Sequence, residues 1–259
     1  MADRSLSEGG GRDEAAPERA GDETTGTAAN AGKHLEIEVD GARYLRIPVR
    51  TRVMLRGDEL EAFIEEYATP HVHDGDTVFI SEKLVAIAQG RAYPISEVTA
   101  RPLARRLSRY VTRTSYGIGI GMPETMEMAI REAGTARILL AAGVSVLGKL
   151  IGRSGDFYRV AGDRVRGIDG PTPGTIPPYN EQVVLVPLDP AGVAERLKGA
   201  FALAGRVVEV AIVDANDIGV NVLGTTLDRE GEARLARVIG DNPLGQGHES
   251  TPIGIIRAA

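Results

Sequence analysis

The chain has 259 residues, a formal net charge of -6 and no cysteine. That length allows one large domain, or two intertwined small ones, around a real core. The acidic balance offers no overall field for nucleic acid or an anionic membrane, and the missing cysteines exclude disulfides, thiolate metal sites and cysteine nucleophiles.

Residues 1 to about 33 are rich in Gly, Ala, Glu, Asp, Thr and Arg and almost devoid of large apolar side chains. Such a segment cannot bury enough surface to offset its ordering entropy, so it is expected to be a disordered acidic tail. It lacks the apolar centre of a signal peptide, and its acidity argues against a transit peptide. The longest apolar run, Ile138 to Leu147, is too short to cross a bilayer. A soluble, cytoplasmic protein with one ordered domain over residues 34–259 is the expectation.

Leu35, Ile37 and Val39 alternate with acidic residues, and Asp40-Gly41 supplies a hairpin turn, which predicts two strands within residues 34–51. Asp58 to Tyr67 reads as an amphipathic helix with Asp58 as cap and Leu60, Phe63 and Ile64 inward. Between Pro70 and Asp74, His71 and His73 sit in a loop, where two histidines are more often incidental than a metal pair. Thr77 to Ile80 is a buried strand that ends in the polar break Ser81-Glu82-Lys83, followed by another apolar segment. A lysine at a strand end can reach a phosphate as a point charge, though it can equally be an ordinary surface residue.

Arg101 to Arg113 predicts a basic helix with Leu103, Leu107 and Tyr110 on one side. Its arginines, among them Arg105, Arg106 and Arg109, could steer a polyanionic substrate or simply form a solvated face. The glycines of Gly117 to Glu124 could bring amides to an anion, but they follow neither G-x-G-x-x-G nor P-loop spacing. Pro123 to Ala133 starts a further helix; Phe157 to Gly162 reads as a strand; and a proline-bearing loop around Asp169 leads to the strand Val183–Pro187. Pro190 to Leu203 is a helix with its proline in the first turn.

Val207 to Val213 is an apolar, β-branched run broken only by Glu209, so it reads as a buried strand. Asp214, Asn216 and Asp217 then place three oxygen-bearing side chains where the strand must stop. Such a cluster suits a hard cation such as Mg²⁺ or Mn²⁺; Asp and Asn also end strands by bonding their own backbone. A helix over Glu230–Ile239, a Gly/Asn/Pro loop and a strand over Ile253–Ile256 close the chain. With no regular βαβ rhythm and no repeat, the pattern predicts an α+β or irregular α/β fold, two-lobed, with polar loops converging at strand ends. No G-x-S-x-G elbow, H-E-x-x-H or Ser/His/Asp triad is apparent.

Taken together, six blocks in fixed order resemble the coenzyme F-420:γ-glutamyl ligases, between about Tyr44 and Arg257. They are IPVRTRVMLRGDELEAFI, GDTVFISEKLVAIAQGR with its Gly90-Arg91, VRGIDG, VLVPLDPAGVAERLK, VEVAIVDAND and NPLGQGHESTPIGIIR. The resemblance implies a GTP- (or ATP-) and divalent-metal-dependent ligase that adds L-glutamate to a carboxylate through an acyl phosphate. It assigns metal binding to Asp169 and Asp214, phosphate contact to Lys83, and close approach of the nucleotide to Gly245 and Gly247. Several positions depart from the family pattern. Val165-Arg166 stands for Asn-Ala, Ile87 for a second lysine, Ala215 for Thr and Asp217 for Gly. The arginines that follow in the family are absent, and Gln246 replaces a carboxylate. Gln246 then remains as a neutral nucleotide-site residue, with Asp217 as a possible replacement metal ligand. The family usually forms intertwined dimers, so a homodimer is expected, its partners being a nucleoside triphosphate, a small carboxylate and an amino acid, with no nucleic acid and no membrane. A ligase acting on another carboxylate and a nucleotide-binding regulatory protein on the same scaffold are the alternatives.

Overall fold

The computed structural model describes residues 28–111, 119–216, 219–245 and 247–259. Asp217 and Gln246, two of the candidate residues, lie outside them, as does the end of the expected basic helix.

The organising element is a six-stranded mixed sheet in the order β1-β2-β8-β3-β6-β7. β1 (Glu36–Val39) and β2 (Ala42–Val49) form the predicted hairpin, turning through Asp40 and Gly41 at φ 54° and 76°. Positive φ at both turn residues is what a tight hairpin matching the strand twist requires. β2 pairs with the last strand, β8 (Ile253–Ala258), which in turn pairs antiparallel with β3 (Thr77–Ser81). β3 runs parallel to β6 (Glu209–Asn216), and β7 (Gly219–Thr225) closes the edge antiparallel to β6.

The central strands are buried on both faces, which explains their nearly continuous apolar runs. Val78, Ile80, Val210, Ile212, Ile253 and Ile255 pack on one side with α1 (Leu60–Tyr67) and α8 (Pro190–Leu203). Phe79, Ala211, Val213 and Ile256 pack on the other with α9 (Arg229–Val238). Between β3 and β6 the chain inserts a second, mainly helical body with its own core of Ile120, Met126, Ile130, Ile138, Val165 and Val183. It contains α3 (Pro102–Ser108), α4 (Pro123–Ala133), α5 (Thr135–Leu150), α6 (Asp156–Ala161) and α7 (Asp163–Arg166), beside the small pair β4 (Ala92–Pro94) and β5 (Gln182–Val184). The α+β, two-lobed expectation is therefore what the chain forms.

Several local expectations are corrected. Phe157 to Gly162 is helical, not extended: Gly155 at φ 80° and Gly162 at φ 97° bound a short helix. Asp156 is buried there and bonded by Arg153 and Arg159 from either side, so i,i+3 pairing decides against period two. Asp58 does not cap α1. Its carboxylate accepts from the Leu55 amide (2.7 Å) and from Arg52, and the helix begins two residues later. The basic helix is shorter than its charge pattern, ending at Ser108 and leaving Tyr110 exposed. The apolar segment after the polar break is α2 (Glu82–Ala88), stopped by Gly90 at φ 68°. Among the described residues no single helix is long and apolar enough to cross a membrane.

Candidate functional site

β3 and β6 are the parallel neighbours at the centre of the sheet, and Ser81 is in register with Val213. Glu82-Lys83 leave the sheet after β3, whereas Asp214, one residue past the last β3–β6 pair, does not end its strand as expected: β6 runs on to Asn216, and Asp214 is paired with Asn221 of β7. The carboxyl ends of adjacent parallel strands are where open α/β sheets form ligand crevices. A register shift between Ile212 and Val213 immediately precedes Asp214; bulges of this kind re-aim a side chain next to a site.

Asp169 comes to this edge from the second body. Its backbone makes a two-way bridge to Val184, with the Asp169 amide donating over 2.9 Å and accepting through its carbonyl over 3.0 Å. β5 is tied in turn to the Gly90-Arg91 corner. The Leu185 amide donates to the Arg91 carbonyl, and the Arg91 guanidinium donates to the Val186 carbonyl (2.7 Å) and pairs with Glu132 (2.7 Å). The carboxylate of Asp169 meets Lys83 Nζ at 2.9 Å. Lys83 and Asp169, predicted from separate blocks, are thus brought into direct contact.

Asp214 and Asp169 are close enough for their charges to interact. Burial raises the pKa of Asp214, the Asp169 charge raises it further, and the Asn216 amide (3.4 Å) and Lys83 act in the opposite sense. Glu82, which the sequence reading passed over as part of a polar break, is the most perturbed acid of the group. Burial pushes it up to about 8, with Asp214 and Asp169 adding to the rise and Lys83 opposing it. Three carboxyl groups with one lysine among them form a locally over-acidic cluster in which like charges are held together at a cost. The signal that could have found Glu82 is its place directly after β3, in register with the strand bearing Asp214.

The chemistry of this donor set fits a hard cation: Glu82, Asp169, Asp214 and Asn216 offer only oxygen ligands, and their mutual repulsion is what a divalent ion would relieve. Among the described residues, no three His, Asp or Glu side chains are already grouped tightly enough to hold a metal unaided.

The glycine loop lies at the same end of the sheet, because the Ser81 amide donates to Pro252 (2.9 Å) and the Thr51 amide to Ser250 (2.9 Å). Gly245 adopts φ 77°. A Cβ on Gly245 would come within 2.9 Å of the Glu249 carboxyl carbon, and one on Gly247 within 3.1 Å of its oxygens. Glycine is required at Gly245 by its left-handed φ, whereas at Gly247 the contact is only with the movable end of the Glu249 side chain. Arg105, Arg106 and Arg109 are exposed on the second body.

The model of the F420-0:Gamma-glutamyl ligase family matches residues 48–226, a span that holds β3, α2, the second body and β6. No curated protein matches the chain. The matched span contains Lys83, Asp169 and Asp214, and the chain belongs to the F420-0:gamma-glutamyl ligase family.

Proposed function

We infer that the protein is a nucleoside-triphosphate- and divalent-metal-dependent amide ligase that joins L-glutamate, or another amino acid, to a small carboxylate such as the F-420 precursor. The observation that carries this reading is the meeting of Lys83, Asp169, Asp214 and Glu82 at the carboxyl end of β3 and β6.

A carboxylate is a poor acyl donor. In the proposed reaction one of its oxygens attacks the γ-phosphorus, and the bond to the nucleoside diphosphate breaks, leaving an acyl phosphate. The amino nitrogen then attacks the acyl carbon, phosphate departs and the amine gives up a proton. Little covalent work falls to the protein, which acts by positioning and by neutralising phosphate charge. Asp169 and Asp214, with Glu82 beside them, would hold one or two Mg²⁺ or Mn²⁺ ions, which supply positive charge to bridging phosphate oxygens. Lys83, paired here with Asp169, would exchange that partner for a phosphate oxygen. Gly245 and Gly247 would let the loop backbone approach the nucleotide, GTP or ATP. Asp217 and Gln246 belong to the same proposed site.

We further infer a homodimer. α5 exposes Leu140, Val146, Leu147, Leu150 and, just past its end, Ile151 at 61%, 61%, 66%, 78% and 73%, an apolar patch of the kind that marks protein association. Phosphate release from GTP in the presence of Mn²⁺, L-glutamate and the carboxylate acceptor tests the ligase reading. Release that requires all four components and is lost in Asp214→Asn is the expected result; release indifferent to amine and acceptor contradicts it.

A further inference from the structure

The stretch before β1 reaches across to the glycine loop. Asn30 is 5% exposed, although it lies in a segment of tail-like composition. Its side-chain amide donates to the Pro243 carbonyl (2.9 Å) and to Thr251 Oγ1 (2.9 Å), 213 and 221 positions away. Thr251 passes the link on, its hydroxyl donating to the Leu244 carbonyl at 2.6 Å. Inside the turn, the Asn242 side-chain amide donates to the Gly245 carbonyl (3.0 Å), and the Gly245 amide to the Asn242 carbonyl (3.2 Å). Below it, the buried guanidinium of Arg46 joins Asp241, the Val238 carbonyl (3.0 Å) and the His34 carbonyl (2.7 Å). The two ends of the loop, Pro243-Leu244 and Thr251, are therefore fastened to one another twice, directly by the Thr251 hydroxyl and through the Asn30 side chain from the chain's N-terminal part.

We propose that Asn30 is a positioning residue for the nucleotide site: it bridges Pro243 and Thr251 and so holds Gly245 in the left-handed conformation from which its backbone meets the nucleotide. The inference rests on the reading of Gly245 as part of that site. Buried polar groups left without partners cost far more than the bond itself returns, so losing this bridge should loosen the loop. A loosened loop must be reordered at each binding event, which weakens affinity while leaving the chemistry of the bound complex intact.

The test uses the full-length protein with Mn²⁺ and GTP, and compares Asn30→Ala, Thr251→Val and Thr251→Ser. Asn30→Ala and Thr251→Val are each expected to weaken GTP binding about tenfold, to raise KM with kcat retained, and to speed amide exchange at Leu244 and Gly245. Thr251→Ser keeps the hydroxyl and should behave as the unaltered chain. Removing residues 1–27 should change none of these readouts, whereas removing 1–33 should reproduce Asn30→Ala. Unchanged GTP affinity or unchanged exchange in both Asn30→Ala and Thr251→Val overturns the proposal. A failure of the unaltered chain to bind GTP at all overturns instead the reading of the site on which it rests.

Discussion

Lys83 Nζ stands 2.9 Å from Asp169 Oδ2, joining the strand-to-helix corner of the central sheet to the proline-bearing loop of the second body. Both partners are partly exposed, at 34% and 53%, and ion pairs in such positions typically contribute no more than about 1 kcal/mol to stability. The pair is better understood as a displaceable contact. Lys83→Met should therefore leave the melting temperature within about 3 °C of the unaltered chain while weakening GTP binding by at least roughly tenfold. Calorimetric titration alongside a melting curve checks both. A large loss of stability with affinity retained would make the pair structural.

Glu82 gives the protein a pH dependence of defined sign. In the folded chain it keeps its proton up to about 8, against an ordinary value of 4.5. Between those values the unfolded chain has released the proton and the folded chain has not, so stability falls as pH rises through this window and levels off above it. The raised pKa of Asp214 acts in the same direction. Asp58 and Glu127 are shifted downward, Asp58 chiefly by its bond from Arg52 and Glu127 by its bonds from Arg101 and Arg131 against its burial. Their stabilisation is lost only as pH falls below the ordinary carboxylate range. Metal-free protein should accordingly melt at lower temperature at pH 8 than at pH 5.5, Glu82→Gln should flatten that difference, and Mn²⁺ should restore stability most at the higher pH. Equal pH slopes in the two proteins would show that Glu82 does not carry the effect.

Much of the fold could be read in advance because local and global signals agree. Asp40-Gly41 needed positive φ, Pro190 needed the first turn of α8, and the runs around Ile80 and Ile212 needed burial on two faces. Asp214 was legible as a candidate because it breaks an apolar, β-branched run with a carboxylate, and Lys83 because it follows a buried strand; Asp169, in a Gly- and Pro-bearing loop, was legible only through the family resemblance. What pattern could not supply was register. Only the pairing of Ser81 with Val213 brings Glu82 beside Asp214, and only the bridge to Val184 brings Asp169 to Lys83. Phe157 to Gly162 misled because its apolar spacing is too short to separate period two from period 3.6. Asn30 was hidden because a polar residue in an acidic, glycine-bearing stretch carries no sign of burial.

The sheet itself offers a test of packing. Gly254 lies opposite Phe79 in the β3–β8 ladder, and a Cβ there would come within 2.2 Å of the ring. Both strands are fixed by pairing on two sides, so the ring has nowhere to go. Gly254→Ala should destabilise the chain by about 1–3 kcal/mol, and Phe79→Leu should recover part of that loss in the double variant. Denaturant unfolding measures both; additive effects of the two changes would mean that the ring and the glycine are not in contact.

The exposed apolar face of α5 predicts an association that one charge can break. Leu147 is 66% exposed, so Leu147→Glu costs little in the folded monomer but places a charge in any interface built on this helix. Light scattering should report a dimer for the unaltered chain and a monomer for the variant. A monomer in both cases would remove the proposed interface.

The central claim is that Lys83, Asp169 and Asp214 serve the ATP- or GTP-driven formation of an amide. It is tested most directly by incubating the protein with F-420 precursor lacking its glutamates, L-glutamate, GTP and Mn²⁺, and following the precursor by mass spectrometry. The account predicts the mass gain of a glutamyl residue, dependent on GTP and Mn²⁺ and abolished by Asp214→Asn. A folded protein that binds both nucleotide and metal yet forms no glutamyl adduct and consumes no GTP would contradict it.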